Sequence, residues 1–587
     1  MGGIIVAMYI ERVPNRNSPP AVLLRESYRE GNKIRKRTLA NLSKLPDSVV
    51  NNLKIVLKGG AAIENLSESF SVVRSLPHGH VAAVLRTLKK LDLHNLIAPE
   101  NSRKRALVLA MIVARILDPS SKLATARGLN SETCFSSLSE LLGLEKADED
   151  ELYEAMDWLV SRQESIENKL AKIHLSEGAL VLYDVSSTYF EGTQCPLARY
   201  GYNRDKKKGF LQIVFGLICD KRGCPVAVEV FEGNTSDTTT ITAQIEKVRH
   251  RFGIQQVVWV GDRGMITNTR ILAEFQPVEG LDWITALRAP QIRKLVEQEA
   301  VQLSLFDETD LVEFSCSDYP GERLIACRNP MLAQEKSLTR VALLQATEQE
   351  LNKIVIATSR DKRALKGADH IGLRVGRVLN SKGVGKYFNI AITEESFSFS
   401  RNEVAIAKDA ALDGVYIIRT SVKPETLDTA STVRAYKSLS TVEQAFRSYK
   451  TVDLKVRPIY HRLEQRVKAH VFLCMLAYYV EWHMKKALAM LLFDDEKVTV
   501  EPEEKNLIVA PSKRSKKARA KAATKKTSEK LPVHSFRTLM ADLATIVKNK
   551  FQSNGLEASL TFEKITQPTP LQQKALDLLD VSLICTQ

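Results

Sequence analysis

Apolar and polar positions change period several times along the chain. Residues 8–45 hold three short runs, "MYIERV", "AVLLRESY" and "KIRKRTLANL", broken by Pro19-Pro20 and by Glu30-Gly31-Asn32. Brief runs bounded by turn formers predict a small β-rich module. Between 79 and 175, apolar residues recur at helical spacing in "HVAAVLRTLKKLDLHNLI", "RKRALVLAMIVARIL" and "DEDELYEAMDWLVSRQESIENKLAKI". The last run opens on acids, which the helix dipole favours at an N-terminus. An all-helical domain is expected here.

From 178 the pattern turns to strands. "GALVLYDVSSTYFE" predicts one long strand, and "FLQIVFGLICD" and "CPVAVEVFEG" flank the turn Asp220-Lys221-Arg222-Gly223 as a hairpin. "NTSDTTTITAQIEKVRHRFG" begins with a choice of N-cap residues and ends on Gly253, so it predicts a helix. A strand over 255–260, a short helix over about 267–275 and the strand "LDWITALR" follow. The order β-β-β-α-β-α-β is an antiparallel meander followed by parallel βαβ units.

Residues 290–425 interrupt this order with "LVEFSCSD", "ERLIACR" and "KYFNIAITEESFSFS" and a charged helical stretch near 333–365, and we expect a mostly β insertion. "DGVYIIRTSV" at 413–422 resembles the earlier strands and marks a return to the core. Helices resume in "STVEQAFRSYKTVDL" and "RLEQRVKAHVFLCMLAYYVEWHMKKAL". "PSKRSKKARAKAATKKTSEK" carries nine Lys or Arg against one Glu, which predicts a basic disordered linker. The expected divisions are 1–78, a basic β-rich module; 79–177, helical; 178–289 and 426–491, two parts of one core around the insertion; 492–530, the linker; and 531–587, a C-terminal helical segment. The fold class is α/β and multidomain.

Composition narrows the setting. Hydrophobic content of 44% and charged content of 26% belong to an ordinary globular protein. No run of 18 uncharged apolar residues occurs, and the best candidate, "ALVLAMIVARILDP", holds Arg115. The first residues lack a basic stretch and a long apolar run, so no signal peptide is read and no membrane partner is expected. Eight scattered cysteines without a Cys-x-x-Cys pair argue against a zinc knuckle and a disulfide framework, and for a reducing cytoplasm. A net charge of +15 points to a polyanion, most economically nucleic acid, or to a merely basic surface.

Three acids stand out against this background. Asp184 lies mid-strand in "LVLYDVSSTY", where a carboxylate is expensive to bury unless paired or metal-bound. It either meets a ligand or faces solvent beside Ser186 and Thr188. Asp262 ends the apolar run of "VVWVGDRGMIT", between glycines that suggest a tight turn. It is either a turn cap or a site residue. The meander order sets the first strand beside the first parallel strand, so the two carboxylates can meet as hard oxygen ligands. Glu443, Arg447 and Lys450 stand at i, i+4 and i+7 in "AYKSLSTVEQAFRSYKT", sharing a helix face next to the apolar Val442, Phe446 and Tyr449. A solvated Glu–Arg pair is the plain alternative.

Together "LVLYDVSSTYFEG", "RDKKKGFLQIVFGLICDKRGCPVAVEVFEGNTSDTTT", "VVWVGDRGMIT" and "AYKSLSTVEQAFRSYKT" resemble the DDE-type insertion-sequence transposases of bacteria, over roughly residues 8–490. The resemblance implies a ribonuclease-H-like mixed-sheet core interrupted by the 290–425 insertion, with Asp184, Asp262 and Glu443 as catalytic, metal-binding acids. The family's glutamate motif, Tyr-x-x-Arg-x-x-x-Glu-x6-Lys, is met by Tyr436, Glu443 and Lys450, but Leu439 stands at its Arg position. Lys437 and Arg447 are near enough to replace that DNA contact. Two Mg²⁺ ions, with Mn²⁺ able to substitute, would promote cleavage at the element ends and transfer of the freed 3′-OH to target DNA. Tyr436, Lys437, Arg447, Lys450 and Arg263, with Lys206, Lys207 and Lys208, are the candidate DNA contacts. The implied partner is double-stranded DNA, held by a homodimer in the nucleoid. Two other readings are a catalytically silent DNA-binding repressor and a ribonuclease-H-like nuclease that cuts without joining.

Overall fold

Gln212–Asp220 and Val257–Val260 are buried at every position, as strands covered on both faces must be. The computed structural model describes residues 5–16, 18–31, 33–59, 70–202, 204, 209–300, 310–493, 516–554 and 561–583. The chain divides into two compact units, residues 1–76 with 547–566, and residues 77–546 with 567–587.

In the first unit, β1 (Ile5–Val13), β2 (Ala21–Glu30) and β3 (Lys33–Asn41) form an antiparallel sheet with β2 central. Much of its basic charge is matched internally: Arg12, Arg25, Arg35 and Arg37 pair with Asp47, Glu11, Glu30 and Glu26. A second sheet sets β4 (Phe70–Pro77) beside Val547–Ser553, which pairs in turn with Thr561–Ile565. The segment 531–587 is therefore not only helical. Its two strands are joined by the cross-strand pair Phe551–Phe562, whose stacked rings lie 5.0 Å apart, and their partner β4 is remote in sequence.

The second unit is built on one mixed sheet of eight strands. Its members are β5 (Ala179–Tyr189), β6 (Gln212–Asp220), β7 (Pro225–Glu232), β8 (Val257–Val260), β9 (Leu281–Ala286), β10 (Leu311–Phe314), β11 (Arg323–Arg328) and, after the separate hairpin β12 (Phe388–Ile392) and β13 (Phe397–Arg401), β14 (Val415–Thr420). Their order is β10-β11-β14-β9-β8-β5-β6-β7. β8 runs parallel to β5 and β9, and the remaining pairings are antiparallel. The helix Glu464–Ala487 is buried through most of its length and packs on β7 and on the helices Arg103–Leu117 and Glu149–Val160. Among the described residues no helix is long and apolar enough to cross a membrane.

Two expectations need correction. The stretch 290–425 is mixed, not mostly β. Its largest element is the helix Pro330–Thr358, which with Ala368–Lys382 buries Leu344, Leu351, Ile354, Ile371 and Val375 against Phe388 and Phe397 of the hairpin. Meanwhile β10 and β11 extend the main sheet through β14. The basic stretch 492–530 is also ordered in part: Lys516–Thr524 is a helix, and Lys521 Nζ is buried and donates to the Ala489 carbonyl at 2.8 Å. That satisfied carbonyl at the end of a buried helix gives a lysine a reason to leave water. Residues 494–515 lie outside the described ones.

Candidate active site

Strand register decides whether the first two acids meet. β5 and β8 pair in parallel from Ala179↔Val257 to Leu182↔Val260, where β8 ends, and Asp262 stands in the loop two residues on, close enough to act on the charge of Asp184. Asp184 is half-buried, and its Oδ1 accepts from the Val185 amide at 2.8 Å. Burial is the largest cause raising its carboxyl to about 7. Asp262 and Glu443 add like-charge repulsion, against which the Val185 amide and the Arg204 guanidinium pull down.

Asp262 does close a turn, but with its backbone. Its carbonyl accepts from Met265 N at 2.9 Å and Ile266 N at 3.0 Å, while the side chain stays exposed. The flanking glycines do not adopt left-handed backbone. Gly261 instead leaves room for Ile266, whose Cδ1 would lie 2.9 Å from an added Cβ.

Glu443 arrives on the helix Leu439–Arg447. Val442, Ala445 and Phe446 are buried beneath it, and the rings of Phe446 and Tyr449 sit 5.6 and 5.4 Å from Phe215 of β6. With that face on the sheet, Glu443 and Arg447 are left exposed. The two form no ion pair with each other. The α-helical spacing does not continue to Lys450, however, because Ser448–Val452 is a π-turn that changes its direction relative to Glu443.

Tyr436 lies close to Asp262, Arg263, Glu443 and Asp184, and burial raises its hydroxyl well above the ordinary range. Arg263 is exposed beside it. Lys437 instead lies near the Cys327 thiol of β11, and burial lowers its amine to about 8. Lys206, Lys207 and Lys208 fall outside the described residues. Sequence reasoning missed Arg204, which stands just before those lysines in the same loop. Its Nη1 donates to the Val185 carbonyl at 2.6 Å and its Nη2 pairs with Asp237. With Ser187, Tyr202, Asp237, Thr238 and Gly264 it lines a cleft of about 300 Å³. No sequence signal separates this arginine from the basic residues around it.

Asp184, with Asp262 and Glu443 close enough to act on its charge, makes a hard-oxygen set of a kind that suits a divalent cation. They do not close into a compact cage: among the described residues, the one trio of His, Cys or acidic side chains with ligand atoms all within 4.8 Å is His174, Cys224 and His483.

Comparison with known proteins adds to this geometry. Residues 176–480 match the family described as "Transposase DDE domain", and residues 10–68 match "IS1634 family transposase, N-terminal domain". No curated protein matches. Among solved structures, the chain is similar to a piggyBac transposase synaptic complex with hairpin DNA, determined by cryo-EM. The likeness covers 77% of this chain and 88% of that one, at 10% identity and a TM-score of 0.24.

Proposed function

The chain belongs to the transposases with a DDE domain, and we propose that Asp184, Asp262 and Glu443 are its catalytic acids. The β5–β9 arrangement is then a ribonuclease-H-like core, and the substrate is double-stranded DNA at the ends of an insertion sequence. The observation that carries this reading is the parallel register of β5 and β8, which sets Asp184 beside Asp262 at the edge reached by the Glu443 helix.

Carboxylates that repel one another around Asp184 fit a positive charge between them. Two Mg²⁺ ions, or Mn²⁺ in their place, would be held by the three acids and supply Lewis acidity toward the scissile phosphate and its leaving oxygen. The protein's own groups position the substrate. Arg204 is fixed by the Val185 carbonyl and Asp237, so it can brace the strand that carries Asp184 while its charge faces the cleft. Arg263, Arg447 and Lys450 hold backbone phosphates without reading sequence, and the Tyr436 hydroxyl donates to a phosphate oxygen. Water attacks phosphorus, the P–O3′ bond breaks, and a 3′-OH is freed. That hydroxyl then attacks a target phosphodiester, forming one P–O bond as another breaks. No covalent link to the enzyme is needed. Holding two ends at once calls for two chains on the DNA.

The test uses labelled DNA from the borders of the element with Mg²⁺. Wild-type protein is expected to cleave and join it, and Asp184→Asn to lose both by a factor on the order of 10³ or more. A wild type inert in Mg²⁺ and Mn²⁺ alike, or a variant that keeps full activity, would overturn the assignment.

A further inference from the structure

A second cluster lies beside the turn that joins β6 to β7. Three elements remote in sequence bring soft ligands together there. His174 ends the helix Gln163–His174, Cys224 leads into β7, and His483 lies on the helix Glu464–Ala487. One ring nitrogen of each histidine and Cys224 Sγ all lie within 4.8 Å of one another. Cys224 Sγ is 3.9 Å from His483 Nε2, and the two imidazole centroids are 6.0 Å apart. Cys224 is fully buried and the His174 side chain nearly so.

We propose that His174, Cys224 and His483 bind one Zn²⁺ ion, separate from the acidic centre, that clamps the β6–β7 hairpin to the two helices. Two imidazoles and one sulfur are the donors zinc takes, and they do not suit the hard cations of a carboxylate site. On binding, the Cys224 thiol loses its proton to solvent as the Zn–S bond forms, and no oxidation is involved. Water completes the coordination.

The surroundings are built to hold these ligands. Asp220 accepts from the Cys224 amide at 3.0 Å and from the Arg222 amide at 2.8 Å, which fixes the turn that presents the thiol. Its other oxygen takes the Arg222 guanidinium at 2.7 Å, matching the nearby positive charge, and faces His174 Nδ1 at 3.7 Å. At that distance the carboxylate makes no hydrogen bond to the ring, but it stands where a small movement would let it accept from Nδ1 and orient a metal-bound imidazole. Binding exchanges one present contact of His174 for the metal, either Nε2 with the Tyr479 hydroxyl at 3.0 Å or Nδ1 with Arg222 at 3.3 Å. The clamp also reaches the glutamate helix. An added Cβ at Gly223 would lie 2.5 Å from Thr441 Oγ1, so the hairpin turn is the surface on which that helix rests.

Full-length protein dialysed against Zn²⁺ and then against metal-free buffer is expected to retain one zinc per chain by mass spectrometry. Asp184→Asn should keep it, and Cys224→Ser and His483→Gln should each lose it. Cobalt in place of zinc should give a thiolate-to-cobalt charge-transfer band in the wild type, a readout that needs no variant to fold. A wild type without zinc or the cobalt band overturns the site. So does zinc that stays in Cys224→Ser, or that leaves with Asp184→Asn.

Discussion

Gly216 and Tyr183 show how closely the surroundings of Asp184 are packed. Gly216 sits opposite Val185 on the β5–β6 ladder, and an added Cβ would lie 2.5 Å from the Tyr183 hydroxyl and 2.8 Å from its ring. Tyr183 is fully buried, so the ring has nowhere to go. Gly216→Ala is therefore expected to cost about 1–3 kcal/mol, the range for overpacking a core. Urea unfolding would measure this, and an unchanged midpoint would mean that the sheet yields at no cost. At this scale the sequence was informative only in combination. Asp184 alone had an equally good polar reading, and Asp262 was as well explained as a turn cap. In the fold Asp262 closes its turn with a backbone carbonyl and keeps its carboxylate exposed, a detail that the residue types alone do not carry. Arg204 was not legible at all: nothing in "NRDKKKG" distinguishes the arginine that reaches the Val185 carbonyl from its lysine neighbours.

Elements are held together by a few buried polar residues, of which Glu167 is the clearest. Fully buried on the helix Gln163–His174, it pairs with Arg251, accepts from Gln163 Nε2 at 2.8 Å and accepts from the Val228 amide at 3.1 Å. One carboxylate thus joins that helix to β7 and to the π-turn Lys247–Arg251. Removing one partner of a buried pair leaves the other uncompensated, so Glu167→Ala should lose about 3–5 kcal/mol. Chemical denaturation checks it, and a loss below about 1 kcal/mol would mark the pair as dispensable. Sequence patterns served well where an element's signal is local. The meander, its helix and the parallel strands over 178–288 stand where the apolar runs put them, because strands buried on both faces write continuous runs. They served poorly where pairing is long-range. β11 joins the main sheet through β14, from Arg323↔Thr420 to Arg328↔Val415, and neither strand names its partner. The π-turn after Arg447 was equally silent, since it changes the backbone repeat without changing the residues.

For the molecule as a whole, the consequence to test is how its excess positive charge is housed. The sequence reading put that charge on surfaces and tails. Yet Arg115, Lys122 and His470 are buried, and His461 packs on His470 with ring centroids 5.2 Å apart. Burial lowers Lys122 to about 7 and His461 to about 3, and takes His470 well below its usual range, with the neighbouring cations adding to each shift. For a base whose folded pKa is depressed, stability is fully present above the unfolded pKa and is lost as pH falls toward the folded one. For Lys122 that window runs from about 10.5 to about 7, and for His461 from about 6.5 to about 3. All three groups act in the same direction, so acidification should weaken the fold continuously from alkaline to mildly acid pH. Each contributes up to about 1.4 kcal/mol per pH unit inside its window. Lys122→Met keeps the chain length and removes the charge, so it should raise the urea midpoint at pH 7 and flatten the profile above pH 7. His461→Asn should flatten it below about pH 6.5 instead. Wild-type stability that stays level from pH 9 to pH 5 would show that these bases keep their protons in the fold, and the buried cluster would then need an anion to hold it.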